Sequence, residues 1–210
     1  MRAIGITEFL NKKFDAYPFG GNWLKSFGEP EKNFVMHVCG TSGNGKTEFS
    51  VQLAKYMAQF TKVLICSYEQ GISKSLQDSL IRNDMSEVSG KVLFTGNEPI
   101  HELVLRLKKR ASPAVVIIDS LDYMRLTTDQ FKFLRKTFPR KSFIVVSWSS
   151  GDKPKSQYAK DIEYMSDIKI YVRNFKAYPQ SRFGGNQPFI IWDRTPKTGQ
   201  QLTLIEDGNH

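Results

Sequence analysis

The stretch Asn33–Phe60, NFVMHVCGTSGNGKTEFSVQLAKYMAQF, decides the fold. It opens with an apolar run of strand type. From Lys46 onward, Phe49, Leu53, Tyr56 and Phe60 recur three or four residues apart, which is helical spacing. Between the two, Gly40-Thr41-Ser42-Gly43-Asn44-Gly45-Lys46-Thr47 matches G-x-x-x-x-G-K-[ST] at every position. The glycines let backbone N–H groups turn inward around phosphates. The N-terminus of the helix that follows adds positive potential. Lys46 is placed to neutralise the outer phosphates of a nucleotide, and the Thr47 hydroxyl to ligate Mg²⁺.

Beyond this stretch, β-type runs alternate with helical patterns. Lys62–Tyr68, Lys91–Thr95, Ala114–Ser120 and Lys141–Trp148 read as strands. Ile72–Arg82, Pro99–Arg110 and Thr127–Phe138 read as amphipathic helices. Repeated β-α units imply right-handed crossovers and a parallel sheet covered by helices on both faces. After residue 150 the pattern changes. Gly151–Lys160 is polar and loop-like, and Ser156–Met165 is a short helix candidate. Ile168–Val172 and Pro188–Trp192 read as two strands of a terminal hairpin, joined by a long turn holding Pro179 and Gly184–Gly185. Asp119 ends the apolar run AVVIIDS, which suits an acid beside the metal of a bound nucleotide.

The chain has 210 residues, enough for one domain with a sizeable core, and its 15 Phe, 8 Tyr and 3 Trp exclude a disordered composition. No apolar run is long enough for a membrane helix, and the first residues lack the pattern of a secretory signal. Cys39 and Cys66 each fall within a strand and read as buried free thiols. His37, His101 and His210 have no Cys, Asp or Glu at ligand spacing, so no protein-held zinc is expected. The net charge is +9, and residues 101–160, with 13 basic and 5 acidic side chains, carry nearly all of it. Such concentration points to a polyanionic partner or a subunit interface as much as to two solvated helix faces.

Hydrolysis needs a group that orients water. Ser120 occupies the position directly after Asp119, and Asp122 stands three residues on, so the carboxylate should come from elsewhere: the candidate is Glu69, which follows the second strand in KVLICSYEQG. In a parallel sheet Asp119 and Glu69 would both stand on one rim. Together these residues resemble the RecA-like ATPases, the family of strand-exchange recombinases and of hexameric replicative helicases of the DnaB type. SYEQ looks like the helicase pattern S-[LY]-E, and IIDSLDYM is similar to the stretch around the helicase metal-binding Asp. KDIEYMSDIKIYVR resembles the segment before the terminal hairpin, and SRFGG the hairpin tip that carries a K-x-R finger. The resemblance covers roughly residues 33–194.

It implies a RecA-like P-loop core over residues 33–210: an α/β fold with a parallel central sheet flanked by helices and extended by a C-terminal β-hairpin. Residues 1–32 would pack on that core or on a neighbour. The implied ligands are ATP and Mg²⁺, held by residues 40–47 and by Thr47 and Asp119, with Lys46, Glu69 and Arg182 catalytic. The implied partners are single-stranded DNA and further copies of the chain, in the cytoplasm of a bacterium or a phage-infected host. The sequence departs from the pattern at Gln180, which replaces the finger lysine and leaves Arg182, or Lys176 as a substitute. Ser147 or Ser149 stands where a γ-phosphate-sensing Gln is usual. By position the polar loop matches the mobile DNA-binding loop of the family. Lys132, Arg135 and Lys136 on the helix, and Lys153, Lys155, Tyr158 and Lys160 in the loop, are the candidate nucleic-acid contacts. A P-loop kinase acting on a small molecule and a slowly hydrolysing ATP-dependent switch are the alternatives.

Overall fold

The computed structural model describes residues 3–193. Residue 194, the 194–210 end of the expected core and His210 lie outside the described residues. Two short helices come first, α1 (Ile6–Leu10) and α2 (Gly21–Phe27). They are followed by β1 (Val35–Gly40), α3 (Lys46–Met57), β2 (Val63–Ser67), α4 (Lys74–Arg82), β3 (Val92–Thr95), α5 (Ile100–Lys108) and β4 (Val115–Asp119). The remainder is α6 (Leu121–Met124), α7 (Thr128–Thr137), β5 (Ser142–Ser150), β6 (Lys153–Pro154), α8 (Gln157–Tyr164), β7 (Ile168–Arg173), β8 (Lys176–Ser181) and β9 (Phe189–Ile190).

The main sheet runs β3-β2-β4-β5-β1-β7-β8-β9. The first six strands in that order are parallel, and β8 and β9 add on antiparallel at one edge. Every residue of β1, β2 and β4 is buried, as expected of strands covered on both faces. Their alternate side chains feed two cores. Met36, Val38, Ile65, Ile117, Ile144 and Val146 meet Phe49, Leu53 and Met57 of α3 on one face. Val35, Leu64, Val116, Ile118 and Val145 meet Leu103, Phe131, Leu134 and Ile162 of α5, α7 and α8 on the other. Helix α7 starts at a capping box in which Thr127 and Gln130 satisfy each other's backbone N–H groups.

The N-terminal aromatics are part of the first core. Tyr17, Phe19 and Phe27 are buried, Trp23 stacks on Tyr56 at 4.7 Å, and the Gly20 N–H donates to the Tyr56 hydroxyl at 2.7 Å. Helix α1, by contrast, buries none of its residues.

Two sequence expectations are corrected. Strand β7 is followed not by a long turn but by a two-residue turn, Asn174-Phe175, with φ of 48° and 55°. Two left-handed residues in succession give the turn type that matches strand twist. Pro179 therefore lies inside β8, opposite Ile170. Counting from the turn, that pair is one whose N–H would point away from β7, on the side where β9 no longer runs, so the missing donor costs nothing. Ser181–Gly185 is consequently at the open end of the hairpin rather than at its tip. The polar stretch after β5 is likewise ordered. Ser149 and Ser150 pair with Pro154 and Lys153, and Ser156 caps α8 by accepting from the Ala159 N–H.

Candidate functional site

The parallel strands bring their C-terminal ends to one rim, and β1 delivers the glycine-rich loop there. Gly40 is excluded from carrying a side chain, because a Cβ would stand 2.4 Å from the Val172 carbonyl oxygen of β7. Gly45 has φ of 101°, in the left-handed region, and a Cβ there would meet the Phe175 ring at 2.8 Å. The loop is braced by Asn44. Its side-chain amide donates to Thr41 Oγ1 at 2.5 Å, and its Oδ1 accepts from the Asn174 N–H at 2.8 Å. Its backbone carbonyl accepts from the Phe175 N–H at 3.1 Å. The β7–β8 turn thus clamps the phosphate loop from outside. Lys46 is mostly buried, and its ammonium donates to the Thr41 carbonyl at 3.1 Å.

Thr47 Oγ1 donates to Asp119 Oδ2 at 3.1 Å, so the first turn of α3 and the end of β4 meet as the motif demanded. Asp119 Oδ1 is buried with no hydrogen-bond partner. Burial first, and then the nearby Glu69 charge, push the Asp119 carboxyl up to about 6, against the Thr47 hydrogen bond and the Lys46 charge. A buried carboxylate oxygen without a donor, next to a hydroxyl, is what a hard divalent cation requires, so these residues fit Mg²⁺.

The backbone itself carries Glu69 to this point. The Tyr68 and Glu69 N–H groups both donate to the Asp119 carbonyl, at 2.6 and 3.2 Å. The Trp148 indole N–H then orients Glu69 by donating to Oε2 at 3.4 Å. Asp122 is occupied elsewhere, accepting from the Trp148 N–H at 2.7 Å. Ser147 is turned to the opposite face, where its hydroxyl lies 2.9 Å from His37 Nε2. Ser149 Oγ is buried without a partner.

A cleft of about 320 Å³ opens over the loop, bounded by Gly43, Lys46, Thr47 and Glu69 on one side and by Arg82, Phe175 and Trp192 on the other. That second wall was not legible in the sequence. Trp192 is held against the turn by its N–H bond to the Phe175 carbonyl, and the two rings meet edge to face at 5.8 Å. Arg82 lies 5.1 Å over the Trp192 ring and donates to Glu48 at 2.9 Å. Burial works to raise the Glu48 carboxyl, but hydrogen bonds from Arg82, Asn83 and Ser79 outweigh it and hold it below its ordinary value. Glu48 follows directly on the Lys46-Thr47 pair, so it fastens α4 to the phosphate loop.

The other expected residues stand apart from the cleft. Arg182 is just beyond the open end of the β7–β8 hairpin, about 20 Å along the strand from the turn by the usual rise per residue. There it forms an ion pair with Asp167 at 2.9 Å, while Asp167 also accepts from the Val35 N–H. Lys176, its substitute, is next to the turn, paired with Arg173. Lys132, Arg135 and Lys136 lie along α7, Lys153 and Lys155 on β6 and just after it, and Tyr158 and Lys160 on α8. Helices α7 and α8 pack on the same face of the sheet and are joined where Thr128 Oγ1 donates to Asp161 at 2.8 Å. Lys155 touches the site indirectly, its ammonium 5.8 Å from the Trp148 ring that holds Glu69.

No family model matches the chain, and no curated protein matches it. Solved structures do. Flagellar accessory protein FlaH from Methanocaldococcus jannaschii superposes with a TM-score of 0.60 at 13% identity, over 83% of this chain and 92% of that one. A KaiC-like protein from the hyperthermophilic archaeon Pyrococcus horikoshii gives 0.55 at 16% identity, over 73% and 79%. An ATP synthase subunit, NeqB, from Nanoarchaeum equitans gives 0.55 at 9% identity, over 75% of this chain and 50% of that one. At these identities the likeness is one of fold. This chain has the RecA-like α/β P-loop fold, as the sequence implied. Among the described residues, no helix is long and apolar enough to cross a membrane.

Proposed function

We propose that this chain is a Mg²⁺-dependent ATPase that works on single-stranded nucleic acid. The observation that carries the first half is the convergence of Lys46, Thr47, Asp119 and Glu69 on one rim, with Asp119 Oδ1 left without a partner. Backbone N–H groups of residues 43–47 and the Lys46 ammonium hold the β- and γ-phosphates. Thr47 and Asp119 hold Mg²⁺, which neutralises charge on the phosphate oxygens when bound. Glu69 accepts a proton from the water whose oxygen attacks the γ-phosphorus, and ADP leaves as the bond to its β-phosphate oxygen breaks. Phe175 and Trp192 receive the base against their faces, with Arg82 backing the Trp192 ring.

The polyanion half rests on the exposed cations of α7, α8 and the β6 segment, and on the link from Lys155 through Trp148 to Glu69. A strand lying on β6 draws Lys155 away from the Trp148 ring and so alters the support of Glu69. The open end of the hairpin is too far from its own phosphate loop for Arg182 to act within one chain. Arg182 therefore reaches the nucleotide of a second copy, and the exposed Ile6, Phe9 and Leu10 of α1 supply apolar contact between copies.

The deciding experiment measures ATP binding and phosphate release separately. Lys46→Ala loses both, whereas Glu69→Gln binds ATP and releases no phosphate. Phosphate appearing on a small-molecule acceptor instead of in solution would favour a kinase. ATP-dependent association without turnover would favour a switch. For the trans arrangement, mixing Lys46→Ala with Arg182→Ala chains restores part of the activity that each lacks alone. No recovery in the mixture would remove Arg182 from the site.

A further inference from the structure

Strand β1 has a second chemical face. His37 and Cys39 alternate with Met36 and Val38, so they point away from α3 and toward α8. Helix α8 lies over them and brings Glu163. His37 and Cys39 are fully buried, and the Glu163 side chain retains 30% exposure, which leaves a way in from solvent. One donor atom from each residue, a ring nitrogen, a sulfur and a carboxylate oxygen, lies within 4.8 Å of the other two. His37 Nδ1 is 3.9 Å from Glu163 Oε1.

The histidine is already set for ligation. Its Nε2 is 2.9 Å from Ser147 Oγ, and the Ser147 hydroxyl in turn points to the Trp148 carbonyl at 3.5 Å. In the tautomer that ligates, Nε2 carries the ring proton and donates to Ser147, whose own proton goes to the Trp148 carbonyl. Nδ1 is then an unprotonated acceptor in a buried place, and it has no hydrogen-bond partner. A side chain that orients the ring through one nitrogen while leaving the other open toward Cys and Glu is the usual support of a metal-bound histidine.

We propose that His37, Cys39 and Glu163 bind a single divalent ion of the zinc class. One N, one S and one O donor suit a borderline-soft cation. They suit Mg²⁺ poorly, and Mg²⁺ has its own oxygen site at Thr47 and Asp119 on the rim of the sheet. Tetrahedral zinc places its ligand atoms about 3.3–3.8 Å apart, so the site closes by small rotations of Glu163 and Cys39. Water takes the fourth position on the exposed side of Glu163. Binding turns the Cys39 thiol into a thiolate and releases its proton to solvent, with no change of oxidation state. Spacing along the sequence does not reveal this set, because Glu163 comes from α8, far along the chain from His37 and Cys39.

The test is a Co²⁺ titration of the full chain after dialysis against a chelator, without nucleotide. The expected result is one equivalent bound, with a thiolate-to-cobalt charge-transfer band and visible bands of tetrahedral intensity, both erased by one equivalent of Zn²⁺. Cys39→Ser removes the charge-transfer band, Glu163→Gln weakens cobalt affinity at least tenfold, and Cys66→Ser changes neither. Circular dichroism checks that each variant is folded. If Cys39→Ser does not fold, the partly exposed Glu163→Gln carries the test, and Zn²⁺ then raises Tm of the native chain but not of that variant. Absence of a thiolate band in the native chain, its survival in folded Cys39→Ser, or unchanged affinity in Glu163→Gln would each overturn the proposal.

Discussion

Replacing Gly45 by alanine tests whether the β7–β8 turn and the phosphate loop form one unit. Two costs follow from the geometry. An L side chain at φ of 101° costs about 1–2 kcal/mol in backbone strain. The new Cβ also meets Phe175 Cδ1 at 2.8 Å. Phe175 has little room to retreat, because its N–H is bonded to Asn44 and its carbonyl accepts from both Ile191 and Trp192. Overpacking of this kind adds about 1–3 kcal/mol. The sum is about 2–5 kcal/mol, and for a chain of this size it lowers Tm by roughly 4–20 °C. Adding Phe175→Ala removes the second cost and leaves the first. Thermal unfolding of the two single variants and the double variant therefore yields a coupling energy of about 1–3 kcal/mol in favour of the double. ATP titration on the same samples shows weaker binding in all three variants, because Phe175→Ala also removes a ring that receives the base, and the loss is larger where Gly45→Ala is present. If Gly45→Ala matches the native chain in Tm and ATP affinity, the left-handed loop is not as described. If Phe175→Ala gives no rescue, the turn does not press on the loop.

Further outcomes are expected elsewhere. Trp192→Ala weakens ATP binding by about 1–2 kcal/mol, while inorganic triphosphate, which has no base, binds as before; equal losses for both ligands would take the base off this wall. Reversing charge at Lys132, Arg135, Lys136, Lys153 and Lys155 abolishes salt-sensitive binding of single-stranded DNA in fluorescence anisotropy and spares ATP binding; retained DNA binding would make these cations only a solvated face. Burial pushes the Cys66 thiol up to about 12 from an ordinary value of 9.0, so the folded chain keeps a proton there that the unfolded chain loses. Its contribution to stability is therefore present below pH 9 and fades as pH rises toward 12. At a pH of about 9, iodoacetamide modifies Cys66 in urea but not in the native chain, and mass spectrometry of the alkylated peptide distinguishes the two.

The parts of this molecule that were legible in the sequence are those set by local pattern. β1, β2 and β4 are apolar at nearly every position because both their faces are covered. Gly40–Thr47 carries its whole geometry in eight consecutive residues. Asp119 and Glu69 could be placed beside the phosphate loop because parallel strands end on a common rim. What escaped depends on pairs distant in sequence or on unusual turn chemistry. Asn174-Phe175 makes a left-handed turn without glycine, so nothing marked it as a hairpin, and Pro179 suggested a turn where there is a strand. Arg82, Glu48 and Trp192 come from three separate segments and become one wall only when α4 and the hairpin close over α3. Arg182 and Lys176 illustrate the same limit, since only the strand register shows which end of β8 faces the phosphate loop.

The most direct check of the ATPase assignment is equilibrium binding of Mg·ATP by isothermal titration calorimetry to the native chain, Lys46→Ala and Glu69→Gln, with phosphate release measured on the same samples. The native chain is expected to bind one nucleotide and release phosphate. Lys46→Ala is expected to bind none, and Glu69→Gln to bind normally with turnover reduced about 10²–10⁴-fold. Normal binding by Lys46→Ala, or undiminished phosphate release by Glu69→Gln, would contradict it.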